Sequence, residues 1–228
     1  VESAVSVPHA PVGRVLLKAR AYSELRTLIQ TGALTPESVV SERQLAERLG
    51  MSKTPIRAAL EHLETQGLVT VTPQKGIVVR DLSAREIAEL FDVRTAVEPF
   101  VAGQLARTAL TGAQRESLRA NLSEQRRVAE AGDALAATQW DVAFHRLLAG
   151  ILDNREIAIW LERCFDRLHR SILRVNRLVT GRLHKSCDDH EGIAGAILGG
   201  RSDEATRLMR EHLAFGRNFL LVGDTGSG

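Results

Sequence analysis

The chain has 228 residues, 44% hydrophobic and 25% charged, which is the balance of a globular protein of one large domain or two ordinary ones. No apolar run approaches the roughly 20 residues that cross a bilayer, and two cysteines, Cys164 and Cys187, are too few for a disulfide framework. The net charge of +2 excludes little, but residues 1–80 carry ten Lys/Arg against seven Glu while the remainder is slightly acidic, a mild bias toward a polyanion partner at the N-terminal end.

Residues 1–13, with Pro8 and Pro11, read as a flexible arm without a charged-then-apolar export pattern, so a cytoplasmic protein is expected. From Arg14 to about Gln30, apolar residues keep helical spacing, and Gly32 stops the run. "TPES" is a turn; Ser41 with Gln44 three residues on forms a capping box for a short helix that Gly50 ends. "MSKTP" is the next turn, with Ser52 as cap and Pro55 tolerated in the first turn of a helix that stops at Gly67. "LVTV" and "GIVVR" flank "TPQKG" as a hairpin. Helix, helix, turn, helix, hairpin is the order of a winged helix-turn-helix over residues 14–81. In such a module the second helix of the pair enters the DNA major groove. Lys53, Thr54 and Arg57 at the start of that helix are suited to base edges and phosphates, Arg43 to phosphate, and Gln74, Lys75 and Gly76 form the wing tip. His62, further along, reads as a solvated or packing residue.

After Asp81 strand signals vanish. Ser83 and Glu86 make another capping box, and helices are expected at about 83–109, 114–131, 133–152, 154–179, 182–199 and 202–222, broken at Gly112, Gly132, Asp153-Asn154, Gly181 and Gly199-Gly200. The predicted fold is mostly α: the winged module, then an all-helical bundle over 82–222, then a disordered tail at 223–228.

In the bundle, "WDVAFHRLL" places Asp141 and His145 one turn apart on one face of an apolar-striped helix. An i,i+4 ion pair would account for them. His190 and His212 lie on two later apolar-striped helices. Inward imidazoles and a carboxylate are costly to bury unless they share a partner. A divalent transition metal is one such partner: zinc first, then nickel, iron or manganese. Three His and one Asp leave open positions in an octahedral site. His184 and Cys187 offer a competing Cys/His site. Arg94 and Glu98 stand one turn apart and account for each other as a helix pair.

"SERQLAERLGMSKTPIRAALEHLETQGLVTVTPQKGIVV" resembles the DNA-binding domain of the GntR family of bacterial transcription regulators, with Lys53 where the family usually has Arg and Ala58 where it has Glu. The resemblance implies DNA contacts at Arg43, Lys53, Thr54, Arg57 and Gln74 to Gly76. Residues 83–220 are similar to the FCD ligand-binding domain of the FadR-type subgroup. Its metal-binding members carry "DVAFH", then His before an "I-x-x-A-I" helix, then His on the last helix, all present here as Asp141, His145, His190 and His212. Asn154 also matches, although as an N-cap it needs no ligand. The resemblance implies a homodimeric regulator, not an enzyme, that binds operator double-stranded DNA and no membrane. It also implies a small carboxylate effector at the metal, with Arg94 as an effector contact. The alternative is a metal-dependent enzyme with a His3Asp site. Against it, Glu191 and Glu211 adjoin two ligands but point about 100° away along their helices, so neither is placed as a general base.

Overall fold

The computed structural model describes residues 12–224, apart from 37, 73, 74 and 180. The chain forms two compact units that meet between Asp81 and Leu82.

The first unit contains α1 (Val12–Gln30), β1 (Val39–Val40), α2 (Glu42–Leu49), α3 (Lys53–Thr65), β2 (Val69–Thr72) and β3 (Gly76–Val79). Ser41 caps α2 with the reciprocal Gln44 bond, and Gly50 ends it in the left-handed region at φ 61°. Ser52 precedes α3 but its side chain makes no cap bond. Leu25, Ile29, Leu45, Ile56, Leu63, Val69 and Ile77 are buried together, with α1 and α2 packed on α3 and α3 packed on β2.

The two-residue strand β1 was not expected from sequence. It pairs antiparallel with β3, so the sheet has the order β1-β3-β2 with Val39 opposite Val78 and Val71 opposite Ile77. A pair of valines between a turn and a cap is too short to show alternation. Gly76 explains how β1 fits. At φ 106° it adopts a conformation that L side chains avoid, and a Cβ there would lie 2.8 Å from Val39 Cγ1 and 2.9 Å from the Val40 carbonyl oxygen. Gly76 therefore has a packing reason to be glycine, whatever it does at the wing.

The second unit is six helices: α4 (Ala84–Ala106), α5 (Gly112–Glu130), α6 (Ala134–Leu152), α7 (Arg155–Leu178), α8 (Arg182–Leu198) and α9 (Ser202–Asp224). Side chains cap four of them: Ser83, Thr111, Asp133 and Asn154 each accept from a backbone N–H in the first turn. Gly112 opens α5 and does not break the chain before it; Thr111 with Gln114 makes the capping box that the sequence reading missed. Phe91, Phe144, Phe165, Leu105 and Leu148 are among the fully buried side chains. Helix α4 packs most extensively on α9, α6 packs against α4, α5, α7 and α8, and α8 touches α4, α5, α6 and α9. That arrangement decides which side chains converge. The expected arm at 1–13 and tail at 223–228 fall mostly outside the described residues, with α1 starting at Val12 and α9 running to Asp224.

Candidate metal centre and nucleic-acid interface

In the first unit, Pro55 and Ile56 are buried and anchor α3, which leaves Lys53, Thr54 and Arg57 exposed on its outer face. These three border one open surface with Lys18 and Glu61. Lys18 was not singled out in the sequence, because one exposed lysine on a helix carries no signal. Arg57 is bonded to Glu42 across the two helices, through Nε at 3.1 Å and Nη2 at 2.8 Å. The Arg57 bond also holds the Glu42 carboxyl below its usual range. Arg43 is exposed, with Glu47 3.9 Å away. Lys75 is exposed, Gly76 is half-buried, and Gln74 lies outside the described residues. His62 stacks on Tyr22 with ring centroids 4.6 Å apart, a packing role.

In the second unit, Asp141 and His145 from α6, His190 from α8 and His212 from α9 are all buried, and one ligand atom from each lies within 4.8 Å of the others. Among the described residues this is the group able to hold a metal ion. His190 Nε2 is 3.2 Å from His212 Nε2 and 3.8 Å from Asp141 Oδ1.

The outer partners assign the tautomers. Asn121 Nδ2 donates to the Trp140 carbonyl at 3.4 Å, and Gln125 Nε2 donates to Asn121 Oδ1 at 2.6 Å. Gln125 therefore turns Oε1 toward His190 Nδ1, 2.7 Å away, which must donate. His212 Nδ1 faces Asp189 Oδ2 at 3.4 Å, and His145 Nδ1 faces Glu98 Oε2. Each Nδ1 faces an acceptor, which leaves Nε2 of His190 and His212 as lone pairs inside the cluster, while Nε2 of His145 accepts a long bond from Arg94. Burial pushes the His190 and His212 pKa values down, which keeps both rings neutral. Burial alone would raise the Asp141 carboxyl; its pKa is nonetheless lowered, and with the imidazoles neutral the Arg182 guanidinium is the charge that holds it ionised. Ser186 Oγ donates to Asp141 Oδ1 at 2.7 Å.

Two bare imidazole lone pairs 3.2 Å apart repel unless a cation lies between them. Two nitrogens bound at about 2.0–2.1 Å to one zinc would be roughly 2.9–3.4 Å apart. The donor set and its spacing therefore fit a divalent transition metal, with a protein acceptor behind every imidazole.

Arg94 and Glu98 are an ion pair, with Nε 2.5 Å from Oε1, and Arg94 also lines the cleft beside the ligand set. Arg94 Nη2 is 3.5 Å from His145 Nε2. A small cleft opens beside the cluster, lined by Arg94, Asp141, Arg182 and His212 on its polar side and by Phe91 and Leu220 on its apolar side. Sequence reasoning missed Arg182, Gln125, Asp189 and Ser186, and took Glu98 only as the helix partner of Arg94.

The competing Cys/His site does not form. His184 is exposed while Cys187 is buried, and burial raises the Cys187 and Cys164 thiols to about 11 and about 12, far from the thiolate a metal needs. Glu191 is bonded to Arg126 and Glu211 to Arg207, so neither serves the cluster as a base. Asn154 caps α7 by accepting from Ile157 N at 3.1 Å.

Residues 89–215 match the FCD domain, and residues 17–79 match the gntR family of bacterial regulatory proteins. The Nta operon transcriptional regulator of Aminobacter aminovorans is 32% identical over 181 residues, 78% of this chain and 82% of that protein. The HTH-type transcriptional repressor GlaR of Escherichia coli (strain K12) is 28% identical, covering 84% of this chain and 90% of that one. The solved structure of E. coli McbR/YncC shares the fold, with a TM-score of 0.81 over 91% of this chain and 98% of that one at 20% identity.

Proposed function

Because the chain belongs to the gntR family of bacterial regulatory proteins and carries the FCD effector domain, it is a DNA-binding transcriptional regulator and not an enzyme, and we propose that a metal-dependent small-molecule site controls its operator binding. The observation that carries this reading is the convergence of one ligand atom each from Asp141, His145, His190 and His212 beside a cleft. Those four residues would hold the ion. Zinc suits the donors best, with nickel, iron and manganese as the other ions such a set takes. When bound, the metal supplies a Lewis-acidic position that accepts an anionic oxygen.

The chain's own residues do the rest. Glu98, Gln125 and Asp189 orient the imidazoles. Ser186 steadies Asp141. The apolar wall of Phe91 and Leu220 keeps water from competing for a small carboxylate effector, and Arg94 borders the site as a contact for it. The ligands come from three helices, so an effector that favours one arrangement of α6, α8 and α9 shifts the bundle between states. On the DNA side, Arg43, Lys53, Thr54, Arg57, Lys75 and Gly76 would contact operator, together with Gln74. We read the active species as a cytoplasmic homodimer, since two-fold related heads match two half-sites about one helical turn apart.

The test uses the full chain and a promoter fragment taken from beside its own gene. His145→Ala should reduce bound metal well below one ion per chain by elemental analysis. Stripping metal with a chelator should change the affinity for the fragment or its response to small carboxylates. Unchanged metal content in the variant would sink the four-residue site.

A further inference from the structure

Arg182 stands at the first position of α8, directly after Gly181. Only 8% of its surface is exposed, and Nη1 meets no hydrogen-bond partner. Its guanidinium lies over the Phe215 ring, 5.3 Å from the centroid, and lines the cavity beside the metal ligands. Three costs coincide here. The cation is desolvated, it has an unsatisfied donor, and it sits at the helix end whose dipole repels positive charge. Burial even pulls its pKa below the ordinary arginine value. Such a group is expensive unless an anion compensates it.

The charges around the cavity say what kind of anion. Arg94 is neutralised by Glu98, and Lys185 by Asp189. The three imidazoles bind metal only when neutral. Asp141 and Arg182 then cancel, and a divalent metal adds two uncompensated positive charges to a buried volume. A ligand with two negative charges closes that balance; a monoanion does not. Resting on the metal-sensor reading above, we propose that Arg182 is the specificity-determining anion contact of this cavity and that its ligand is a small dicarboxylate, one carboxylate serving the metal and the other Arg182. Arg94, bonded to Glu98 at 2.5 Å, is the less available cation.

The test compares malonate, succinate and glutarate with the monoacids of equal chain length, propionate, butyrate and valerate. Binding to the full-length, zinc-loaded chain is measured by calorimetry and thermal shift. At least one diacid should bind tenfold or more tightly than its monoacid. Arg182→Gln should abolish that preference while zinc content stays unchanged. Arg182→Lys keeps the charge in case the glutamine variant does not fold, and it should retain a smaller preference. The proposal is overturned by an undiminished preference in either variant. Equal binding of monoacids and diacids to the unmodified chain also overturns it while leaving the carboxylate-sensor reading standing. If no acid of either series binds, both fall.

Discussion

His190 reaches its position through a relay that ends on the backbone: Trp140 carbonyl, Asn121, Gln125, imidazole. Removing Gln125 leaves the ring buried but free to choose the other tautomer. Gln125→Leu should therefore weaken metal binding by about 10–100-fold, measured by competition with a chromophoric chelator, while the fold survives. Glu98 carries a pH signature. Burial would raise its pKa, but Arg94 and His145 outweigh burial and hold it at about 2, below the ordinary 4.5. A depressed carboxylate contributes stability above its unfolded pKa and loses it as pH falls toward the folded value. The metal-free chain should lose up to about 3 kcal/mol between about pH 4.5 and about pH 2 by denaturant titration, and Glu98→Gln should flatten that slope. Asp141, His145, His190 and His212 were legible as a set because each lies on an apolar-striped helix and their order matches the pattern of the FCD domain they resemble. Their partners Glu98, Gln125 and Asp189 were not, because nothing in sequence spacing links α4 or α5 to an imidazole on another helix.

At the scale of elements, the capping residues were the most readable feature. Ser41-Gln44 and Ser83-Glu86 form the expected boxes, and the helix limits follow to within a few residues. Ser83→Ala should cost about 1 kcal/mol, read as a lower melting temperature. The packing of α4 on α9 is less forgiving. A Cβ on Gly103 would sit 2.5 Å from Thr206 Oγ1, and that hydroxyl already bonds the Pro99 carbonyl. Gly103→Val should therefore destabilise by about 1–3 kcal/mol through overpacking, a cost checked by chemical denaturation. Gly103 gave no sign of this in the sequence, where it stands inside a helical run. The strand β1 was hidden for the opposite reason: two valines carry no period, and only pairing with β3 makes them a strand.

Across the whole molecule, regulation needs two functions in one chain, and each unit has its own core. For the DNA unit, Arg57→Ala should lower affinity for the operator fragment and reduce the slope of log affinity against log salt by about one if Arg57 meets a phosphate. An unchanged affinity and slope would remove Arg57 from the interface. An Arg57 that meets phosphate would exchange its bond to Glu42 for one to the DNA. The sequence by itself determined the order of elements, the apolar faces and the four candidate ligand positions, because caps, glycine stops and helical periodicity are local. Tertiary structure decided which of those residues meet. It turned three imidazoles inward, neutralised Arg94 with Glu98, and left Nη1 of the buried Arg182 without a hydrogen-bond partner. Such facts arise from contacts between side chains that lie far apart in the chain, and only the packing of α4, α5, α6, α8 and α9 brings them within reach of one another.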